Sequence, residues 1–305
     1  MKRLQITVLG GTGFVGTQLV CRFAQLGHGL RVLTRDPMAA RHLAVLPDVQ
    51  RLRVDVHHTE SLRRAIDGSD VVINLVGILN EKGDTGRGFE LAHAELTRKA
   101  LDACIETGVS RYLHMSALGA DVSAPSHYLR SKGVAERHVR NSSTTLDWTI
   151  FRPSVIFGAA DSLLNRFAAL LRLSGGFIPL ARANARFAPV WVADVVRAFE
   201  LALHGGATSR QSYDLCGPEI MTLRELVRYT GEISGTTARV LPLPDALGRA
   251  QALVMDFVPG KPFSSDNYRS LTVDNVCREN GFTRLGIVPT GLRTIAPTYL
   301  RRPSR

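Results

Sequence analysis

Cysteine is scarce in this 305-residue chain: Cys21, Cys104, Cys216 and Cys277 are the four, with no Cys-x-x-Cys pair and no histidine cluster beside them. Neither a zinc site nor a disulfide framework is expected from that spacing, no metal is called for, and the setting read from it is reducing and cytoplasmic. Long apolar runs are missing as well. The longest, Val71 to Leu79, contains Asn74 and falls well short of the about 20 residues that cross a bilayer. A secretory leader is not expected, because an apolar strand begins by residue 4 and Gly10, Gly11, Gly13 and Gly16 interrupt any leader core. Acidic residues are in deficit, 27 against 38 basic, and the net charge of +11 implies attraction to something anionic. The arginines are scattered, and there is no stacked-aromatic signature or base-reading helix, so no nucleic-acid partner is expected. Phosphate groups of a ligand and an anionic membrane surface remain.

What is present starts at Leu4. Residues 4–9 form a β-branched and leucine-rich run that reads as a strand buried on both faces, and Phe14, Val15, Leu19, Val20, Phe23 and Leu26 then recur at helical spacing. Between them lies Gly10-Gly11-Thr12-Gly13-Phe14-Val15-Gly16. Gly10 allows a tight turn, Gly13 admits a pyrophosphate close to the backbone, and Gly16 lets the helix pack on the strand. The first N–H groups of that helix face the anion. A glycine triplet alone is weak evidence; a strand before it and a helix after it make a dinucleotide site the expected reading.

A second strand, Leu30 to Thr34, is followed by Arg35-Asp36-Pro37. An acid closing this strand would accept from a ribose 2′-hydroxyl, but Thr34 stands there and Arg35 follows, which favours NADP(H) while leaving NAD(H) open. The bland alternative has Arg35 capping the strand and neutralised by Asp36. A third strand, Arg51 to Val54, ends in Asp55-Val56. A helix over Thr59 to Ile66 leads to a fourth strand, Val71 to Gly77. This alternation predicts an α/β fold, a Rossmann-type doubly wound parallel sheet with ligands at the carboxyl ends of its strands. Asp55 is placed for the adenine edge and Gly77 for passage of the cofactor. A long helix from about Phe89 to Thr107, a strand from Tyr112 to Ser116, and a helix starting near Ser126 follow. Tyr128 and Lys132 are four apart and share a helix face, where an ammonium beside a phenol would lower the phenol's pKa toward general acid/base use.

Together with Ser116, Tyr128-x-x-x-Lys132 and Phe151-Arg152-Pro153-Ser154-Val155-Ile156-Phe157-Gly158, this order resembles an extended short-chain dehydrogenase/reductase. Leu271-Thr272-Val273-Asp274-Asn275-Val276, Leu285-Gly286-Ile287-Val288-Pro289-Thr290 and Pro297-Thr298-Tyr299-Leu300 are similar to the atypical branch of the 39 kDa (alpha-subcomplex 9) accessory subunit of respiratory complex I and its bacterial relatives. The resemblance implies an NADP(H)-binding Rossmann domain over residues 1–151. It also implies a smaller C-terminal α/β substrate or partner lobe over 152–305, interleaved with the first. It carries cofactor contacts to Gly10, Thr12, Gly13, Phe14, Val15, Gly16, Arg35, Asp55, Val56, Val76, Gly77, Lys132 and Pro153, and a reactive set to Ser116, Tyr128 and Lys132. Met115-Ser116-Ala117 stands where many extended members have consecutive serines. Three functions follow: an oxidoreductase or epimerase acting on a small carbonyl or hydroxyl substrate, a non-catalytic NADP(H)-bound structural or assembly factor of a respiratory complex, or an NADP(H) redox sensor. The second implies a position peripheral to the inner membrane.

In the C-terminal half, Arg166, Arg172, Arg182 and Arg186 read as solvated surface, or as contacts to an anionic substrate, membrane or partner. Asp194 opens a helix as a structural acid, with Val195, Val196, Phe199, Leu201 and Leu203 as core. Leu247, Ala250, Leu253, Val254 and Phe257 form one helical stripe, most simply core and otherwise a docking face.

Overall fold

Seven parallel strands make up the main sheet of the computed structural model, which describes residues 2–38 and 40–301. In chain order they are β1 (Gln5–Leu9), β2 (Gly29–Thr34), β3 (Val49–Arg53), β4 (Val71–Asn74), β5 (Arg111–Met115), β6 (Asp147–Pro153) and a last strand, Gln211–Leu215. In space the order runs from Gln211–Leu215 through β6, β5, β4 and β1 to β2 and β3. β1 therefore has β2 on one side, with Leu9 opposite Leu33, and β4 on the other, with Leu9 opposite Asn74. The order reverses there, which opens a crevice at the carboxyl end of β1.

Both faces of the sheet are covered, which is why its central strands are apolar throughout. One face packs on α1 (Phe14–Gln25) and the helix Val192–Leu201 through Leu19, Phe23, Phe151 and Phe199. The other packs on α2 (Thr59–Ile66) and the helix Leu96–Glu106 through Leu62, Ile66, Leu101 and Tyr112. The chain leaves the sheet after β6, builds the helix Leu163–Leu173, and returns to it with Gln211–Leu215. Beyond the sheet, Phe177–Leu180 pairs in parallel with Arg239–Pro242, and the helices Asp245–Met255 and Ser265–Ser270 follow. No helix among the described residues is long and apolar enough to cross a membrane.

Four expectations need correction. Cys216 and Cys277 are joined in a disulfide, their Cα atoms 6.0 Å apart. They are 61 residues apart in sequence, so spacing could not reveal the pair; Cys216 follows the last sheet strand, and the C-terminal segment is brought back onto it. The helix expected from Phe89 is not uniform: it opens with a wide π-turn segment, Glu90–Glu95, before Leu96–Glu106. Such segments insert a residue into the helix and commonly mark functional positions. Leu201 is 47% exposed and so lies outside the core. The stripe near residue 250 is exposed too: Leu247, Leu253, Val254 and Phe257 face outward, and the small residues Gly248 and Ala252 make the inward contact.

Candidate functional site

The glycine turn lies in the crevice beside β4. Gly10 has φ +79°, and a Cβ there would come within 3.0 Å of the Leu75 carbonyl carbon and the Val76 nitrogen. A Cβ at Gly16 would lie 2.3 Å from the Gly10 oxygen, so α1 rests directly on the turn. Gly13 is the exposed N-cap of α1; no side chain caps this helix and no acid occupies its first turn. Its leading N–H groups and the positive end of its dipole are left for an anion. Thr12 and Phe14 are half-buried at this end, and Val15 is core.

Further along the carboxyl edge, Thr34 turns its hydroxyl onto the Asp36 carbonyl oxygen at 3.0 Å. Arg35 is exposed and forms no ion pair among the described residues, whereas Asp36 accepts from the Met38 N–H. Neutralisation of Arg35 by Asp36 is thus not what the fold does. Asp55 is also exposed and turns one carboxylate oxygen onto its own loop, the His57 N–H, at 2.9 Å; Val56 packs against the second core.

Lys132 is the best-fixed polar group of the crevice. The helix His127–Arg140 carries it, N-capped by the Ser126 hydroxyl, which accepts from the Leu129 N–H. Its Nζ donates to the Val76 and Met115 carbonyls, both at 3.1 Å, and so ties the ends of β4 and β5 together. An ammonium has three protons, which leaves one free beside Gly77, where a Cβ would sit 3.4 Å from Nζ. Burial pushes this ammonium down to about 8, against the partial support of Glu136.

Above Lys132 a polar chain runs through the helix bodies. His93 Nε2 accepts from the Ile78 N–H at 3.0 Å, which places its proton on Nδ1 facing the Ser131 hydroxyl at 2.7 Å; that hydroxyl donates to the Tyr128 carbonyl at 2.9 Å. Burial and the Lys132 charge hold His93 neutral, well below its usual range. The Tyr128 ring stands edge-on to His93 and Phe89, with centroids 5.5 and 6.1 Å away. Its hydroxyl makes no hydrogen bond among the described residues, and burial pushes the phenol up to about 12. The ammonium is turned onto carbonyls rather than the phenol, so the expected depression of the tyrosine is not found. Ser116 lies one residue past the end of β5, and its hydroxyl is buried with no partner among the described residues. Pro153, which ends β6, is buried, with its carbonyl accepting from the Leu118 N–H at 3.0 Å.

The fold therefore brings Gly10, Gly13, Gly16, Val76, Gly77, Tyr128 and Lys132 to one crevice and seals Ser116 beneath it. His93, Ser131 and Asp266 were not singled out from the sequence. His93 and Thr97 are buried polar residues four apart on an otherwise apolar helix face, a signal that was available; Thr97 accepts from Asn74 at 3.2 Å. Asp266 gave no such signal. It is buried in the C-terminal lobe and accepts from the His127 and Tyr128 N–H groups at 2.7 and 3.0 Å, so the lobe caps the helix that carries Tyr128. Asp84, His127 and Asp266 gather closely enough to suggest a metal, but the Arg269 guanidinium already bridges the two carboxylates and supplies the cation.

The family model for NAD(P)H-binding proteins matches residues 10–164, just over half of the chain. The chain is 32% identical to the mitochondrial NADH dehydrogenase [ubiquinone] 1 alpha subcomplex subunit 9 of Arabidopsis thaliana, over 96% of its own length and 76% of that protein's. It is 31% identical to the subunit of the same name from Mus musculus, over 97% and 79%. Among solved structures, MoeE5 in complex with UDP-glucose and NAD superposes with a TM-score of 0.73 at 18% identity, covering 97% of each chain. That likeness carries the fold.

Proposed function

Because this chain belongs to the NAD(P)H-binding family, within the extended short-chain dehydrogenase/reductases, we propose that it holds NADP(H) as a standing part of its fold. On this reading it serves a respiratory assembly from the cytoplasmic side of the inner membrane. Bound NADP(H) supplies hydride-transfer capacity; this chain's residues supply the seat. The uncapped start of α1 receives the pyrophosphate, the free proton of Lys132 meets a ribose hydroxyl, and Arg35 pairs with the 2′-phosphate.

What carries the reading is the condition of the three reactive positions. Lys132 is committed to two carbonyls, the Tyr128 phenol is neutral and unbonded, and the Ser116 hydroxyl is sealed in the core. That set favours holding a ligand over moving a proton. A ligand bound only by the folded state stabilises it by about 2.7 kcal/mol at a hundred times its dissociation constant, which is reason enough to retain one without turnover.

The deciding measurement is a fluorescence titration of wild type and Arg35→Ala with NADPH and NADH. Wild type should prefer NADPH by about tenfold or more, as expected of a charge-assisted phosphate contact, and the variant should lose that margin. Equal or reversed preference in the wild type defeats the NADP(H) assignment. The second reading, an NADP-dependent oxidoreductase or epimerase, draws on the shared helix face of Tyr128 and Lys132. NADPH-linked turnover that disappears in Tyr128→Phe while cofactor affinity stays intact would establish it instead.

A further inference from the structure

The C-terminal lobe presents an apolar face that no described residue covers. On the helix Asp245–Met255 and the turn after it, Leu247 is 57% exposed, Leu253 59%, Val254 64% and Phe257 87%. Ala250 lies on the same side, and Arg249 and Asp245 are the only exposed charged residues of this helix. The helix lies beside the small parallel pair, to which Gln251 donates at the Pro179 carbonyl, 3.0 Å away. The outer side of that pair continues the pattern: Phe177 and Leu241 are each 49% exposed, and in register Phe177 is opposite Arg239 and Leu241 opposite Pro179. Leu173, the last residue of the helix leading into the pair, is 85% exposed. Isolated exposed leucines are ordinary on a protein surface; a group of large apolar side chains left exposed on three adjoining elements is a candidate binding face.

Charge decides what the face fits. Residues 163–182 and 239–261 hold six basic residues against two acidic ones, and both acids are already paired, Asp245 with Arg182 and Arg249, Asp256 with Lys261. Arg172 and Arg239 are exposed and form no ion pair among the described residues. Exposed apolar side chains among unpaired basic residues suit a soft, anionic, apolar-cored surface.

We propose that this face seats the protein on a bilayer containing anionic phospholipid, with Leu253, Val254 and Phe257 entering the headgroup boundary and the unpaired arginines meeting phosphates. The proposal rests on the peripheral-association part of the reading above and names its partner. It follows the physics of interfacial helices, in which buried apolar area and attraction to anionic lipid add, and salt screens only the second.

The test is co-sedimentation of the full chain with phosphatidylcholine vesicles, with and without phosphatidylglycerol, at low and high salt, with NADPH titrated in parallel. Wild type is expected to bind the phosphatidylglycerol vesicles at low salt, to leave them at high salt, and to ignore pure phosphatidylcholine. The Leu253→Gln, Val254→Gln, Phe257→Gln triple variant should bind them about tenfold more weakly or worse, with NADPH affinity unchanged. Arg172→Glu with Arg239→Glu should weaken binding while leaving the apolar face intact. No binding of wild type at low salt, equal binding to both vesicles, or a triple variant that binds as wild type overturns the proposal. So does self-association of wild type that the triple variant abolishes, since the face would then join two copies of this chain. Vesicle binding that persists in a protein unable to bind NADPH would instead sink the cofactor reading and leave this one standing.

Discussion

The cofactor crevice and the outer face of the C-terminal lobe are built on opposite terms. In the crevice, buried polar groups are tied into a network: Lys132 bridges two strand ends, His93 and Ser131 relay to the Tyr128 carbonyl, and Asn74 donates to Thr97 and Tyr112, while the Ser116 hydroxyl stays unpartnered among the described residues. On the lobe, large apolar groups are exposed, as Phe257 at 87% exposure shows. An unpartnered buried polar atom costs stability at once, so a crevice is held to its geometry by folding itself. An unpartnered exposed leucine costs folding little, so such a face persists for what it meets outside the chain.

The comparison breaks most visibly at Lys132. Its ammonium is held down to about 8 against an ordinary 10.5, so the unfolded chain binds the proton more tightly than the folded one. Stability is therefore penalised below pH 8 and recovers as pH rises toward 10.5, by up to roughly 3 kcal/mol over the full interval. Urea unfolding of the cofactor-free protein at pH 8 and pH 10 should show wild type gaining on Lys132→Met. Parallel pH responses would mean that the crevice does not strain this charge.

Asp266 joins the two regions, because a carboxylate from the lobe caps the helix that places Tyr128. Asp266→Ala should cost about 2 kcal/mol, since two helix N–H groups and Arg269 lose a buried acceptor. The same change should weaken NADPH binding by disturbing the Tyr128–Lys132 helix. A stability loss with unaltered NADPH affinity would show that the lobe and the crevice are mechanically independent.

The smallest effect is the sharpest test of the contrast. Replacing Leu253 and Phe257 by Gln should shift unfolding free energy by less than about 0.5 kcal/mol, the range of ordinary surface substitutions. A loss of several kcal/mol would reveal packing on the face and return it to the core, as its stripe pattern first suggests.

That stripe marks where sequence reasoning reaches its limit. Periodicity locates an apolar helix face but is silent on what lies opposite. Here Gly248 and Ala252 face inward, so close approach of the backbone fills the space that Leu253 and Phe257 would have filled. The sheet was legible for the converse reason. Its central strands β1, β2 and β4 are buried on both faces, and α2 runs over Thr59–Ile66, as its local pattern predicts. The glycine turn was legible too, because Gly10 takes a positive φ and Gly16 must clear the Gly10 oxygen six residues back, both local demands. Tyr128 and Lys132 share a face by helical geometry alone, yet what the ammonium touches depended on where β4 and β5 end.

The amino-acid sequence by itself determined the parallel α/β sheet, the glycine turn after β1 and the Tyr128–Lys132 helix, because each follows from contacts within a few residues or from an unbroken apolar run. Only the tertiary structure decided that Cys216 reaches Cys277, that Asp266 caps a helix 138 residues away, that Ser116 is sealed, and that the lobe's apolar stripe faces outward. These are long-range matters: they depend on which surfaces the chain has left over once its strongest local elements have packed.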